Sequence, residues 1–178
     1  MPVAPMRLRA VLFTALLTLF AGAIHADDDA FGASPLAGVA SVQVAVSGVP
    51  DDFARYGLTA AEMRGRVVAH LSRYGLPVID AAQATREPHA ARLDVRFDAN
   101  RNPYAFYHYG ISLRLLRKLP LGEAAAGFVA TEVWSTGQHG IIEPADMKPI
   151  YGYLDTLVER FVAAHGHDNP GKPTAMLR

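Results

Sequence analysis

The alternation of apolar and polar residues along this chain predicts a strand, a helix, a series of further strands and a closing helix. Val42, Val44 and Val46 alternate with Gln43, Ala45 and Ser47, the period-two pattern of a half-buried strand. Thr59-Ala60-Ala61-Glu62 has capping-box spacing, in which the threonine oxygen accepts from a backbone amide three residues on. Met63, Val67 and Leu71 then recur at every fourth position and Gly75 follows, so a helix with one apolar stripe ends there. Leu76-Pro77-Val78-Ile79 reads as a short second strand, and the strand, helix, strand order suggests a right-handed parallel crossover.

After a loop over 80–89, Leu93, Val95 and Phe97 alternate with Arg92, Asp94, Arg96 and Asp98, the strongest strand signal in the chain. Asn100-Arg101-Asn102-Pro103 has turn chemistry. A long strand follows from 104 to about 116, with Tyr107, Tyr109, Ile111, Leu113 and Leu115 sharing one face. A turn over 120–122 leads to a strand from about 127 to 135. Met147, Ile150, Leu154, Leu157, Val158 and Phe161 have helical spacing, which predicts a helix over 147–165. Pro149 is tolerated in its first turn, where the missing amide has no intrahelical acceptor. The expected fold is α/β, of the α+β type: a two-layer sandwich, its mixed sheet of about five strands carrying two helices packed on one face. One domain is expected over 39–165, with a flexible leader over 27–38 and a disordered tail over 166–178.

The first 26 residues stand apart from this pattern. Arg7 and Arg9 precede an uncharged stretch over 10–24, and small residues lead to Ala26. That is the order of a secretory signal peptide, and its apolar stretch is shorter than the ~20 residues of a bilayer span. Cleavage is expected after Ala26, ahead of Asp27, Asp28 and Asp29, and the product is expected to be soluble and periplasmic, with no membrane span. Removing the signal changes the charge arithmetic. The whole chain of 178 residues has 17 basic and 17 acidic side chains. Without Arg7 and Arg9 the net charge becomes −2, which offers no electrostatic attraction for nucleic acid. The chain has no cysteine, which excludes thiolate metal sites, cysteine nucleophiles and a cysteine-linked lipid anchor.

Candidate chemistry is sparse. His165-Gly166-His167-Asp168 is the densest metal-ligand grouping, but a helix end beside a tail lacks the rigid outer shell of a metal site. His70, His89, His108 and His139 have no motif spacing. No phosphate-binding glycine loop and no G-x-S-x-G elbow occurs. Asp94 and Asp98 share a strand face with Arg92 and Arg96, the composition of a cross-paired sheet surface. No catalytic residue, metal ligand or cofactor is therefore assigned.

The face of the sheet opposite the helices is the more informative surface. If Leu93, Val95, Ile111, Leu113, Val129 and Val133 face the helices, alternation turns Arg92, Arg96, Tyr104, Phe106, His108, Arg114, Phe128, Glu132 and Trp134 outward. Arginine and aromatic side chains together are enriched at protein interfaces. This set is the expected interaction face, docking an envelope protein or a second copy. The competing reading is an enzyme or small-ligand binder with a pocket between loops 80–90 and 136–146, using His89, His139 and Glu143.

The order of segments carries a resemblance. The export signal, the V-x-V-x-V strand at 42–46, Gly57-Leu58-Thr59, Gly75-Leu76-Pro77-Val78, Ala130-Thr131-Glu132-Val133-Trp134 and Phe161-Val162-Ala163-Ala164 are similar in layout to uncharacterised exported bacterial envelope proteins. More distantly, the layout resembles the TolB N-terminal domain and the periplasmic domains of lipoproteins auxiliary to envelope lipid transporters. The resemblance covers about 39–165 and implies binding or assembly in the envelope, as an accessory to assembly or transport. It implies no reaction, and this chain lacks the lipoprotein cysteine.

Overall fold

The computed structural model describes residues 34–120, 128–145 and 147–170. The expected signal peptide, the leader up to 33 and the tail from 171 lie outside the described residues.

The fold is α+β with one open mixed sheet of four strands in the order β1-β2-β3-β4. Strand β1 spans Ser41–Ser47, β2 Ala90–Arg101, β3 Tyr107–Pro120 and β4 Phe128–Ile142. Strand β1 pairs in parallel with β2, and the pairs β2 with β3 and β3 with β4 are antiparallel. Helix α1 spans Ala60–Tyr74, α2 Ala81–Arg86 and α3 Pro149–Asp168. A 3-10 helix, Asp51–Tyr56, lies between β1 and α1.

The fifth strand expected over 76–79 is reduced to one parallel bridge between Val42 and Val78. Val42 N donates to the Pro77 carbonyl and Ile79 N to the Val42 carbonyl, each at 3.0 Å. Two causes stop it there. Pro77 has no amide to donate, and Asp80 caps α2 through a full capping box with Gln83.

The other strands run longer than their apolar alternation indicates. Strand β4 continues to Ile142 through Gly137 and Gly140, which read as loop residues in the sequence. Both sit where another group comes close: a Cβ on Gly140 would stand 3.0 Å from the Tyr109 hydroxyl. Tyr109 in turn stacks on Tyr153 of α3, with ring centroids 5.7 Å apart. Burial, followed by the charge and hydrogen bond of Tyr153, pushes the Tyr109 phenol up to about 12.

Helices α1 and α3 share one core with the inner sides of the strands. Met63, Val67 and Leu71 of α1 and Leu154, Leu157, Val158 and Phe161 of α3 are fully buried with Val42, Leu93, Val95, Phe97, Leu113 and Leu115. The apolar period of each helix therefore finds the apolar period of the strands. Thr59 caps α1 by accepting from Glu62 N, as its spacing predicts.

Helix α2 falls in a stretch expected to be loop, and it changes the expected division of the two sheet faces. Lys118, in phase with the outward Arg114, donates to the carbonyls of Ala84 and Thr85. Its ammonium thus meets the last turn of α2, where carbonyls lack helical partners. Ala84 and Ala90 are buried at this contact. One end of the outer face is covered, and the rest has no helix on it among the described residues.

Both ends of the domain extend past 39 and 165. Leu36 is fully buried, and its amide donates to Asp168 at 3.2 Å. Asn169 accepts from Gly38 N at 2.9 Å and donates to the Leu36 carbonyl at 3.0 Å. These bonds tie 34–39 to the end of α3, which Gly166 does not terminate. His165 is also fully buried, with Nε2 3.0 Å from the Val39 carbonyl and Nδ1 3.2 Å from the Tyr74 hydroxyl. A carbonyl only accepts, so Nε2 donates to Val39.

Candidate functional site: the outer sheet face

Alternation on β2 and β3 places the outward side chains by register. Leu93, Val95, Ile111 and Leu113 are buried, so Arg92, Arg96, His108 and Arg114 point to the other side. Asp94 and Arg114 are direct cross-strand partners. Asp94 accepts from Arg114 at 2.9 Å and from Arg92 at 3.1 Å. Arg114 also lies 3.6 Å from Glu132 on β4. The result is a row of alternating charge, Arg92, Asp94, Arg114, Glu132, running across three strands.

Asp94 is the centre of this row. It is only 6% exposed, on a face without a helix at that point, because two arginine stems cover it. Arg114 Nε is buried without a hydrogen-bond partner. The row is neutral and its inner members are held by paired, charge-assisted bonds. Such a row can orient a partner by charge pattern, and its two carboxylates are each engaged by arginine. In the sequence Asp94 is one acid among alternating charges. Only the register with Arg114 singles it out.

Apolar groups flank the row at both ends of β4. Phe128 is 69% exposed and Ile141 62% exposed. By their pairing with Pro120 and His108 both belong to the outer side. Phe106 and Tyr104 are also exposed, but they lie in the β2 to β3 connection and not on the expected strand. Asn102 organises this connection: its side-chain oxygen accepts from Tyr104 N and Phe106 N, each at 3.0 Å. Ala105 adopts φ 69°, the left-handed region.

Trp134 does not belong to this surface. It pairs with Leu115, whose side chain faces the helices, and its ring meets Phe161 of α3 edge to face at 5.4 Å. A register shift is the cause. Leu115 pairs with Trp134 but Leu116 pairs with Glu132, which leaves Val133 as an extra residue. Beyond such a bulge every side chain changes face. Glu132, before the shift, keeps its outward place.

The three groups of the alternative pocket do not converge. His89 immediately precedes β2, whereas His139 pairs with Gly110, which pairs with Asp98 near the far end of β2. Eight residues along a strand separate those levels by roughly 26 Å. His139 also lies in β4 and not in a loop. Glu143 directly follows β4, toward the His139 end. In the His165, His167 pair, one ring is buried and the other 89% exposed. Among the described residues no group of three metal-ligating side chains is arranged to hold an ion, and no helix is long and apolar enough to cross a membrane.

No protein-family model matches this sequence, and no curated protein matches it. Among solved structures, the chain is similar to a dodecamer of a PelC variant from Paraburkholderia phytofirmans. The identity is 14%, the match covers 72% of this chain and 90% of that chain, and the TM-score is 0.40.

Proposed function

We propose that this domain is a soluble, exported protein-interaction module that uses its outer sheet face. The occupant of that face is an envelope protein or a second copy of the chain, and the role is accessory to envelope assembly or transport. One observation supports the reading most directly. Phe128 and Ile141 stand exposed at the two ends of β4, with the ordered row Arg92, Asp94, Arg114 and Glu132 beside them. Apolar anchors around a fixed charge pattern are what a docking surface needs for affinity and register.

Strand β4 adds a second element. It is the last strand of the sheet, and most of it is exposed. Its charged side chains are few, and an open edge of that kind accepts a further strand. The overall arrangement is read as a two-layer sandwich of α1 and α3 on the sheet, with α2 on the reverse side. Periplasmic destination follows from the order of charge, apolar run and small residues over 1–26.

The test is a double replacement, Phe128→Ser with Ile141→Lys, in the full chain. Sedimentation velocity, and crosslinking in intact cells from position 135, which pairs with Arg114 on the same face, should show lost association at unchanged thermal midpoint. Unchanged particle size together with unchanged captured partner would overturn the proposal. Export is checked by sequencing the N-terminus of the periplasmic protein, expected to begin at Asp27.

A further inference from the structure

A shallow, solvent-open depression of about 340 Å³ lies at the end of the sheet, lined by Tyr56, Tyr104, Phe106, Glu143, Pro144 and Ala145 together with Ala105. It lies outside the ion-pair row. Three of its lining groups are aromatic rings, and among the described residues Glu143 is its only charged lining residue. Among the described residues Glu143 makes no ion pair with a basic side chain of the chain itself. Proline and alanine complete the lining, so apart from the carboxylate and two phenols the side chains offer nothing to satisfy a strongly hydrated group.

We propose that this depression binds a small quaternary ammonium ion. Aromatic faces carry negative quadrupole charge and attract a cation, most strongly when it sheds water easily. A primary ammonium would exchange its full hydration for, at most, bonds to the Glu143 carboxylate and the two phenol oxygens. A tetraalkylated nitrogen has no hydrogen bonds to lose, and its methyl groups match the rings and Pro144. Glu143 supplies the opposite charge. The Arg55 guanidinium lies 4.6 Å from the centroid of the Tyr56 ring, so that ring already meets a cation of the chain itself. Arg55 is itself paired with Asp52 at 3.3 Å, so its charge is offset locally.

The backbone that carries Tyr104 and Phe106 is held before a ligand arrives. Asn102 fixes the connection with two side-chain bonds, and its backbone amide donates to the Phe106 carbonyl at 2.8 Å. Ala105 N closes the turn onto the Asn102 carbonyl. A prepared site loses less on binding than one that must first be ordered.

The experiment titrates the full chain with tetramethylammonium chloride and follows the backbone amides of Ala105 and Phe106 by NMR. Tert-butyl alcohol, of similar shape but uncharged, serves as the comparison, and sodium chloride holds the ionic strength constant. Saturable shifts with tetramethylammonium and none with the alcohol are expected. Glu143→Gln and Tyr104→Ala should each weaken binding about tenfold at unchanged thermal midpoint, since Tyr104 is 82% exposed. Equal shifts with the alcohol, full affinity in Glu143→Gln, or shifts without saturation would each overturn the proposal. Sedimentation with phosphatidylcholine vesicles in the absence of binding to the free ion would do the same, by assigning the surface to a membrane.

Discussion

Trp134 meets Phe161 edge to face at 5.4 Å between ring centroids, so the only tryptophan of the chain joins β4 to α3. It is half-buried against the core and lies on the side away from the charged row. The two sides of β4 therefore have separate tasks, and substitutions on them should separate stability from association.

Trp134→Ala removes a large ring from the core, with an expected loss of about 2–3 kcal/mol for a partly buried aromatic. Urea unfolding should show the lower midpoint, while association measured below that midpoint is unchanged. The opposite result, weaker association at full stability, would place Trp134 on the interaction face.

Asp94→Ala leaves two arginines facing each other on the outer side. Arg114 already has an unpartnered buried Nε, and loss of its Asp94 bond leaves only Glu132, at 3.6 Å, to compensate its charge. The expected cost is about 2 kcal/mol or more. Salt should recover part of it, because the two arginines left facing each other have side chains 52% and 30% exposed and bulk ions screen repulsion between exposed charges. Chemical denaturation at low and high sodium chloride measures both effects.

Gly48 follows β1 at φ 82°, and a Cβ there would stand within 1.9 Å of the Phe97 carbonyl oxygen. Both the backbone angle and the contact exclude a side chain. Gly48→Ala should cost about 3 kcal/mol or more, whereas Gly65→Ala, in open space on α1, should raise stability by about 0.5–1 kcal/mol. Thermal unfolding of the two variants gives opposite signs if the packing is as described.

Asp168 provides a pH dependence. Burial acts to raise its pKa, but hydrogen bonds from His167, Ser34 and the Leu36 amide together hold the carboxyl below its ordinary value of 3.8. The folded state thus favours the ionised form. Its contribution is complete above pH 3.8 and is lost as pH falls through the lower folded-state pKa. Hydrogen exchange at the Leu36 amide should accelerate over that acid range relative to the core. In Asp168→Asn the acceleration should no longer track the titration.

Helices α1 and α3 and the four strands, β4 only as far as 135, are legible in the chain because each rests on a local repeat. Thr59 and Glu62 cap α1 as their spacing requires, and the alternations at Val42 to Val46 and Leu93 to Phe97 both become strands. The short helix α2 is harder to see, since it is six residues long and its Asp80 to Gln83 box reads equally as a turn. Strand β4 beyond 135 is concealed by Gly137 and Gly140, which serve close packing and carry no apolar signal of their own.

Side-chain direction after a bulge, by contrast, has no local marker. Nothing in Val133-Trp134 announces that Leu115 pairs with Trp134 and Leu116 with Glu132. The same holds for the elevation of Asp94 above its neighbour Asp98, for the seating of Leu36 on Asp168, and for the gathering of Tyr56, Tyr104 and Glu143 around one depression. The sequence by itself determined the types of the long elements, through repeats of 2 and 3.6 residues that need only neighbours along the chain. Tertiary structure alone decided which groups share a surface, because register, bulges and the return of distant segments are set by the packing of the whole core.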